Sequence, residues 1–159
     1  MNECSLCNPE LKPLIATEQY WRLVLNLNQN LLGKCFWVLQ RHEEQVVEMT
    51  EYEWAELHSN IRRTVEILCR LWRPDHFNMA FLQNQDRHVH FHIIPRYAGR
   101  RYVGKHEFDD LDYPSHYAVA GPSIGLPKHY KSPYANEPWT SQDLSELGEM
   151  LKDAYTNAR

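Results

Sequence analysis

Apolar and polar residues alternate over residues 20–27. Trp21, Leu23, Leu25 and Leu27 fall on one face, and Tyr20, Arg22, Val24 and Asn26 on the other. A period of two predicts a strand. Asn28, Gln29, Asn30 and Gly33 then signal a turn. The run Cys35–Leu39 is uninterruptedly apolar and reads as a second, buried strand pairing antiparallel with the first. The period changes downstream: Trp54, Leu57, Ile61, Val65, Leu68 and Trp72 recur at spacings of three and four. That predicts an amphipathic helix of about six turns. Thr50 and Glu53 form a capping box at its start, and Pro74 stops it. Residues 77–82 read as a third strand, 84–86 as a turn, and 88–94 as a fourth strand ended by Pro95. Residues 1–19 and 96–139 carry no long period and read as irregular. A last helix, capped by Thr140 or Ser141, carries Leu144, Leu147, Leu151 and Tyr155. Antiparallel strands with one long helix give an α+β class, with an irregular C-terminal extension ending in a short helix.

A length of 159 residues fits one hydrophobic core. Hydrophobic residues at 43% and charged residues at 24% exclude a disordered or fibrous chain. No apolar run reaches the ~18–20 residues a membrane helix needs. The first residues show no basic-then-apolar export pattern, so a cytoplasmic location is expected. Seventeen basic against 21 acidic residues give a net charge of −4, which argues against gripping long nucleic acid but leaves room for a small anion at a local site.

Four cysteines occur. Cys35 and Cys69 sit in apolar stretches and read as small core residues. Cys4-Ser-Leu-Cys7 is a C-x-x-C pair at the N-terminus. It precedes Asn8-Pro9 rather than opening a helix after a strand, which disfavours a redox pair. Two thiolates two residues apart can occupy adjacent corners of a metal tetrahedron, with unliganded thiols the alternative.

Three of the nine histidines stand in His88-Val89-His90-Phe91-His92-Ile93-Ile94. On a strand, His88, His90 and His92 share one face at steps of ~6.6–7 Å, while Val89, Phe91 and Ile93 face the core. A solvated polar face is one reading. A metal site is another, but bonds of ~2.0–2.1 Å let one ion reach only one or two of the three. Nucleophilic catalysis is the third: a neutral imidazole attacks phosphorus when one nitrogen is free and the other donates to a fixed acceptor.

The segment resembles the His-φ-His-φ-His-φ-φ motif (φ apolar) of the histidine triad (HIT) superfamily. Asn26, Gly33 seven residues on, the run Cys35–Leu39 and His42 resemble a second family segment, and Pro95-Arg96-Tyr97 also fits. The likeness covers roughly residues 4–97, and is strongest to bacterial diadenosine tetraphosphate hydrolase-like members with a C-x-x-C zinc site. It implies a HIT domain over residues 1–97. The extension over 98–159 holds Tyr102, Tyr113, Tyr117, Tyr130, Tyr134 and Trp139, an aromatic content high for a free linker, so it is expected to pack on the domain or on a dimer interface, with His106, His116 and His129 as ordinary loop residues. The fold the resemblance implies is an antiparallel sheet under one long helix, in a homodimer joined through that helix and an edge strand.

The resemblance further implies a nucleotide hydrolase acting on dinucleoside polyphosphates or nucleoside phosphoramidates. His90 would attack the α-phosphate and form a nucleotidyl-histidine, His92 would contact phosphate oxygens, and His88 completes the triad. Asn26 would bind ribose hydroxyls. Cys4, Cys7, His42 and His88 would hold a structural Zn2+. Where many members carry Gly-Gln-Ser or Gly-Gln-Thr this chain has Gln85-Asp86-Arg87, so Asn84 or Gln83 would take the phosphate-amide role, and Asp86 sets a negative charge near it. Arg96, Arg100, Arg101 and Lys105 are candidate phosphate charges that otherwise read as solvated surface. Other classes the resemblance allows are a nucleotide-binding scaffold with little turnover and a nucleotidyltransferase. The uridylyltransferases have Gln at the position of His92, so histidine there favours hydrolysis.

Overall fold

A computed structural model of the chain describes residues 4–11, 13–84, 86–115 and 139–158. His116, His129, Gln85 and the tail aromatics Tyr117, Tyr130 and Tyr134 lie outside them.

The alternation around Trp21 becomes strand β2 (Trp21–Leu25), and the apolar run after Gly33 becomes β3 (Cys35–Leu39). They pair antiparallel, with Arg22 opposite Val38 and Val24 opposite Phe36. The histidine segment forms β5 (His90–Arg96), antiparallel to β3, with Val38 opposite His90 and Phe36 opposite His92. With β1 (Leu14–Thr17) and β4 (His76–Ala80), the sheet order is β1-β2-β3-β5-β4. Residues 1–19 are therefore not wholly irregular: they supply β1, too short for its alternation to register in the sequence. Pro95 does not end β5. Pairing with β3 stops at Cys35 opposite Ile93, so beyond that point β5 has one open edge, where a strand tolerates proline.

Helix α1 (Glu51–Trp72) covers one face of the sheet. Thr50 and Glu53 form the capping box, and the helix ends at Arg73 in the left-handed region, just before Pro74. The buried stripe is rotated from the one the apolar spacing predicts: Glu53, Leu57, Asn60, Thr64, Ile67, Leu68 and Trp72 are buried, while Trp54 is 43% exposed. Two of the buried polar residues have strong partners. Glu53 receives Arg41 Nε at 2.6 Å, and the Thr64 hydroxyl accepts from buried Trp37 Nε1 at 3.1 Å. Gly33 lies against the end of this helix at φ +79°, where a Cβ would fall 2.6 Å from the Trp72 ring. Only glycine fits that turn. Cys35 is fully buried, but Cys69 is on the exposed helix face and is not a core residue.

The stretch 96–139 also holds order that its sequence hides. β6 (Arg101–Val103) and β7 (His106–Phe108) form a small hairpin. His106 stacks on Trp139, with ring centroids 4.1 Å apart, and reaches Asp143 of helix α2 (Ser141–Thr156) at 3.3 Å. α2 packs on β1 and α1. The Tyr155 hydroxyl donates to Glu18 at 3.0 Å, and the Arg63 guanidinium lies 3.7 Å from the centre of the Tyr155 ring. No helix among the described residues is long and apolar enough to cross a membrane.

Candidate functional site

The face of the sheet opposite α1 carries the chemistry. Alternation along β2, β3 and β5 places Arg22, Val24 and Asn26, then Lys34, Phe36 and Val38, then His90 and His92, on this one side. Leu6, Val24 and Val38 form a small second core here, with Cys4, Leu11 and Phe36 against it. This explains why β2 is buried at every position: the N-terminal segment covers the face that its alternation marks as polar. Arg22 secures the cover, donating to the carbonyls of Leu6 at 2.7 Å and Asn8 at 2.9 Å.

At one end of this face Cys4, Cys7, His42 and His88 converge, with one ligand atom from each within 4.8 Å of the others. His88 Nε2 is 2.7 Å from the Leu39 carbonyl. A carbonyl can only accept, so Nε2 carries the proton and the Nδ1 lone pair faces the thiols. That Nδ1 is 3.3 Å from Cys4 Sγ and 3.5 Å from Cys7 Sγ, and His42 Nδ1 is 3.4 Å from Cys7 Sγ. A tetrahedral zinc with ordinary bond lengths sets sulfur and nitrogen about 3.6 Å apart. The donor set and its spacing therefore fit a metal. Burial and the neighbouring Cys4 push the Cys7 thiol pKa up, a crowding that a bound cation relieves. His42 is held by its neighbour: Arg41 pairs with both Glu43 at 2.8 Å and Glu53 at 2.6 Å, pinning the loop after β3 to the start of α1.

His90 comes next along the face. Its Nδ1 is 2.6 Å from the His88 carbonyl oxygen, which fixes the proton on Nδ1 and leaves Nε2 as a lone pair. Burial lowers its pKa, keeping the ring neutral. His92 makes no hydrogen bond to a described residue, and burial, then His90 and Lys34, push its pKa down to about 3. Phe36 meets both rings, at 5.8 Å from His90 and 5.7 Å from His92 between centroids.

Asn26 is half-buried at the end of β2. Its Oδ1 accepts from Asn28 N at 2.8 Å, leaving its amide NH2 and one lone pair for a ligand. Gln83 instead donates its amide to the Glu44 carbonyl at 2.9 Å, and Asn84 is exposed without a side-chain hydrogen bond to a described residue. Asp86 accepts from Ser5 Oγ at 2.7 Å. The arginines proposed as phosphate charges have other partners. Arg96 is not a surface residue but is buried in an ion pair with Asp110 at 2.6 Å, Arg100 pairs with Glu107 and Asp109, and Arg101 with Asp75. Lys105 lies 3.8 Å from Asp143. Sequence reasoning put Arg22 on this face without giving it a role, and missed Lys34. The even spacing of Lys34 from Phe36 was the available signal.

No protein-family model matches the chain. The chain is 33% identical over 101 residues to an uncharacterized HIT-like protein of Methanocaldococcus jannaschii, spanning 60% of this chain and 78% of that one. Among solved structures, it is similar to a histidine triad (HIT) protein from Sinorhizobium meliloti, with TM-score 0.61 and 21% identity over 89% of this chain and 87% of that chain. A Zn-bound histidine triad family protein from Mycobacterium smegmatis superposes with TM-score 0.58 at 15% identity, over 91% of this chain and 84% of that one.

Proposed function

This chain belongs to the histidine triad (HIT) family, and we propose that within it the chain is a nucleotide hydrolase that works through a covalent intermediate on His90. The observation that carries this reading is the 2.6 Å contact from His90 Nδ1 to the His88 carbonyl. It fixes the tautomer and points the Nε2 lone pair away from the backbone. Nε2 attacks the α-phosphorus of a nucleotide, a P–N bond forms, and the P–O or P–N bond to the leaving group breaks. Water then attacks the same phosphorus, the P–N bond to His90 breaks, and a nucleoside monophosphate leaves. Dinucleoside polyphosphates and nucleoside phosphoramidates are the substrate classes. In this reading His92, neutral and without a hydrogen bond to a described residue, donates to a phosphate oxygen, and Asn26 holds the ribose.

Cys4, Cys7, His42 and His88 would hold Zn2+ as a closed structural site. Four protein ligands leave no open position, so the ion would supply rigidity to the strand that carries His90. The free thiols this requires suit a reducing compartment such as the cytoplasm. A homodimer is part of the same reading. β4 is an edge strand; on it Met79 is 39% exposed, and Trp54 of α1 is 43% exposed.

The test is direct. The protein is incubated with a panel of nucleotides and quenched in denaturant at alkaline pH, where a phosphoramidate survives. A nucleotidyl mass on the peptide carrying His90 supports the reading; turnover retained by His90→Asn overturns it.

A further inference from the structure

Phosphate chemistry needs positive charge, and the triad does not provide it here. Burial holds His92 neutral, and His90 commits its Nδ1 proton to the His88 carbonyl and its Nε2 lone pair to the attack. Of the other cations on this face, Arg22 is committed to the carbonyls of Leu6 and Asn8 beside the cysteine cluster. Lys34 remains. It is only 9% exposed, and among the described residues its Nζ makes one hydrogen bond, 2.8 Å to Asn30 Oδ1, a neutral amide. No carboxylate among the described residues pairs with it.

The position of Lys34 is set by the sheet. The Lys34 carbonyl accepts from Asn26 N at 3.0 Å, so the two residues stand opposite each other where β2 and β3 run out. Residues opposite each other across an antiparallel pair project to the same side. Two residues on, Phe36 stands opposite His92, which makes Lys34 a diagonal neighbour of His92. Lys34 is thus between the residue placed for the ribose and the third triad histidine. The cysteine cluster is at the other end of the face, beyond His90.

A buried ammonium with no anionic partner is costly. Its burial lowers its pKa to about 8, so it stays mostly charged at neutral pH. Among the described residues no Glu or Asp side chain pairs with it, and an anionic ligand would compensate it.

We propose that Lys34 is the phosphate-binding cation of this site, contacting the α-phosphate of a bound nucleoside monophosphate unit from the ribose side. The inference rests on the nucleotide reading above and adds to it the residue that carries the charge. Contact at the α-phosphate, rather than at a leaving group, means that a simple monophosphate senses it.

Isothermal titration calorimetry with AMP and with adenosine separates the possibilities. Lys34→Met keeps the length and apolar stem of the side chain and removes the charge. It is expected to weaken AMP binding by about tenfold or more, as loss of a charge-assisted hydrogen bond does, and to leave adenosine binding within about twofold. Lys34→Arg should restore most of the AMP affinity. Lys34→Gln serves as a second neutral variant should Met disturb the turn at Gly33. Equal AMP affinity in the wild type and the neutral variants overturns the proposal, as does a parallel loss of AMP and adenosine, which would make Lys34 a support for the loop alone. A wild-type protein that binds neither ligand refutes the nucleotide reading itself. That result is read before any variant is made, so the two failures are distinct.

Discussion

The hydroxyl of Ser5 donates to Asp86 Oδ1 across 2.7 Å. Ser5 lies between Cys4 and Cys7, and Asp86 lies two residues before His88. The N-terminal cysteine segment and the approach to the triad are therefore tied at two points, through this bond and through the thiols around His88. The Asp86 carboxylate is thereby held toward the N-terminal segment.

Freshly purified protein should contain about one zinc per chain by elemental analysis, and Cys7→Ser should lose it. With free zinc at about 100–1,000 times Kd, binding stabilises the fold by about 3–4 kcal/mol. At about 2–4 °C per kcal/mol for a chain of this size, chelation should lower Tm measurably. A Tm indifferent to chelator would remove the structural role.

His90→Asn should reduce turnover by about 10⁴-fold or more, the scale of losing a covalent nucleophile. Far-UV circular dichroism should be unchanged, because the Nδ2 amide of asparagine can still donate to the His88 carbonyl. AMP binding should survive within a few-fold. Activity close to wild type would mean that the nucleophile is elsewhere.

Lys34 predicts an unusual alkaline response. Its folded pKa is depressed from 10.5 to about 8 by burial. Between these values the unfolded chain holds more protons, so stability rises with pH across this window. The full contribution is roughly 3 kcal/mol. Urea unfolding at pH 7.5 and pH 10 should show the wild type gaining on Lys34→Met by that order. Other groups titrate in both proteins and cancel. A difference that does not change with pH would contradict the burial of the ammonium.

Glu53 serves two structures at once: it caps α1 through Thr50 N at 2.7 Å and clamps Arg41 beside His42. Arg41 and the Thr50 amide hold its carboxylate pKa below the ordinary value. Its contribution is therefore present above about pH 4.5 and is lost as pH falls through the depressed value. Glu53→Ala should cost about 2 kcal/mol, because it strips a cap and an ion pair whose Arg41 end is 42% exposed and keeps Glu43. Thermal unfolding of this variant and of Thr50→Ala, for which about 1 kcal/mol is expected, would separate the two roles.

In sedimentation velocity the chain should run as a dimer, and Met79→Asp on the β4 edge should shift it toward monomer. A monomeric wild type at tens of micromolar would rule out the proposed assembly.

The local elements were readable because their signals are local. The Thr50–Glu53 box, the period of α1, the strand at Cys35–Leu39 and the alternate histidines depend on residues a few positions apart. β1, β6 and β7, at four, three and three residues, are too short for a period to emerge, and tertiary pairing defines them. The rotation of the α1 stripe had the same origin. Apolarity marked Trp54, whereas partners across the sheet made Glu53 and Thr64 the buried residues.

The histidine triad, its face and the pairing of β2 with β3 follow from the chain alone, since alternation and turn spacing are properties of neighbouring residues. That the Leu39 carbonyl sets the His88 tautomer, that Cys4 and Cys7 meet His42 and His88, and that Lys34 stands beside His92 with no carboxylate partner among the described residues depend on strands brought together from distant segments. Hydrogen bonding and desolvation act through space, so these features exist only once the chain has folded.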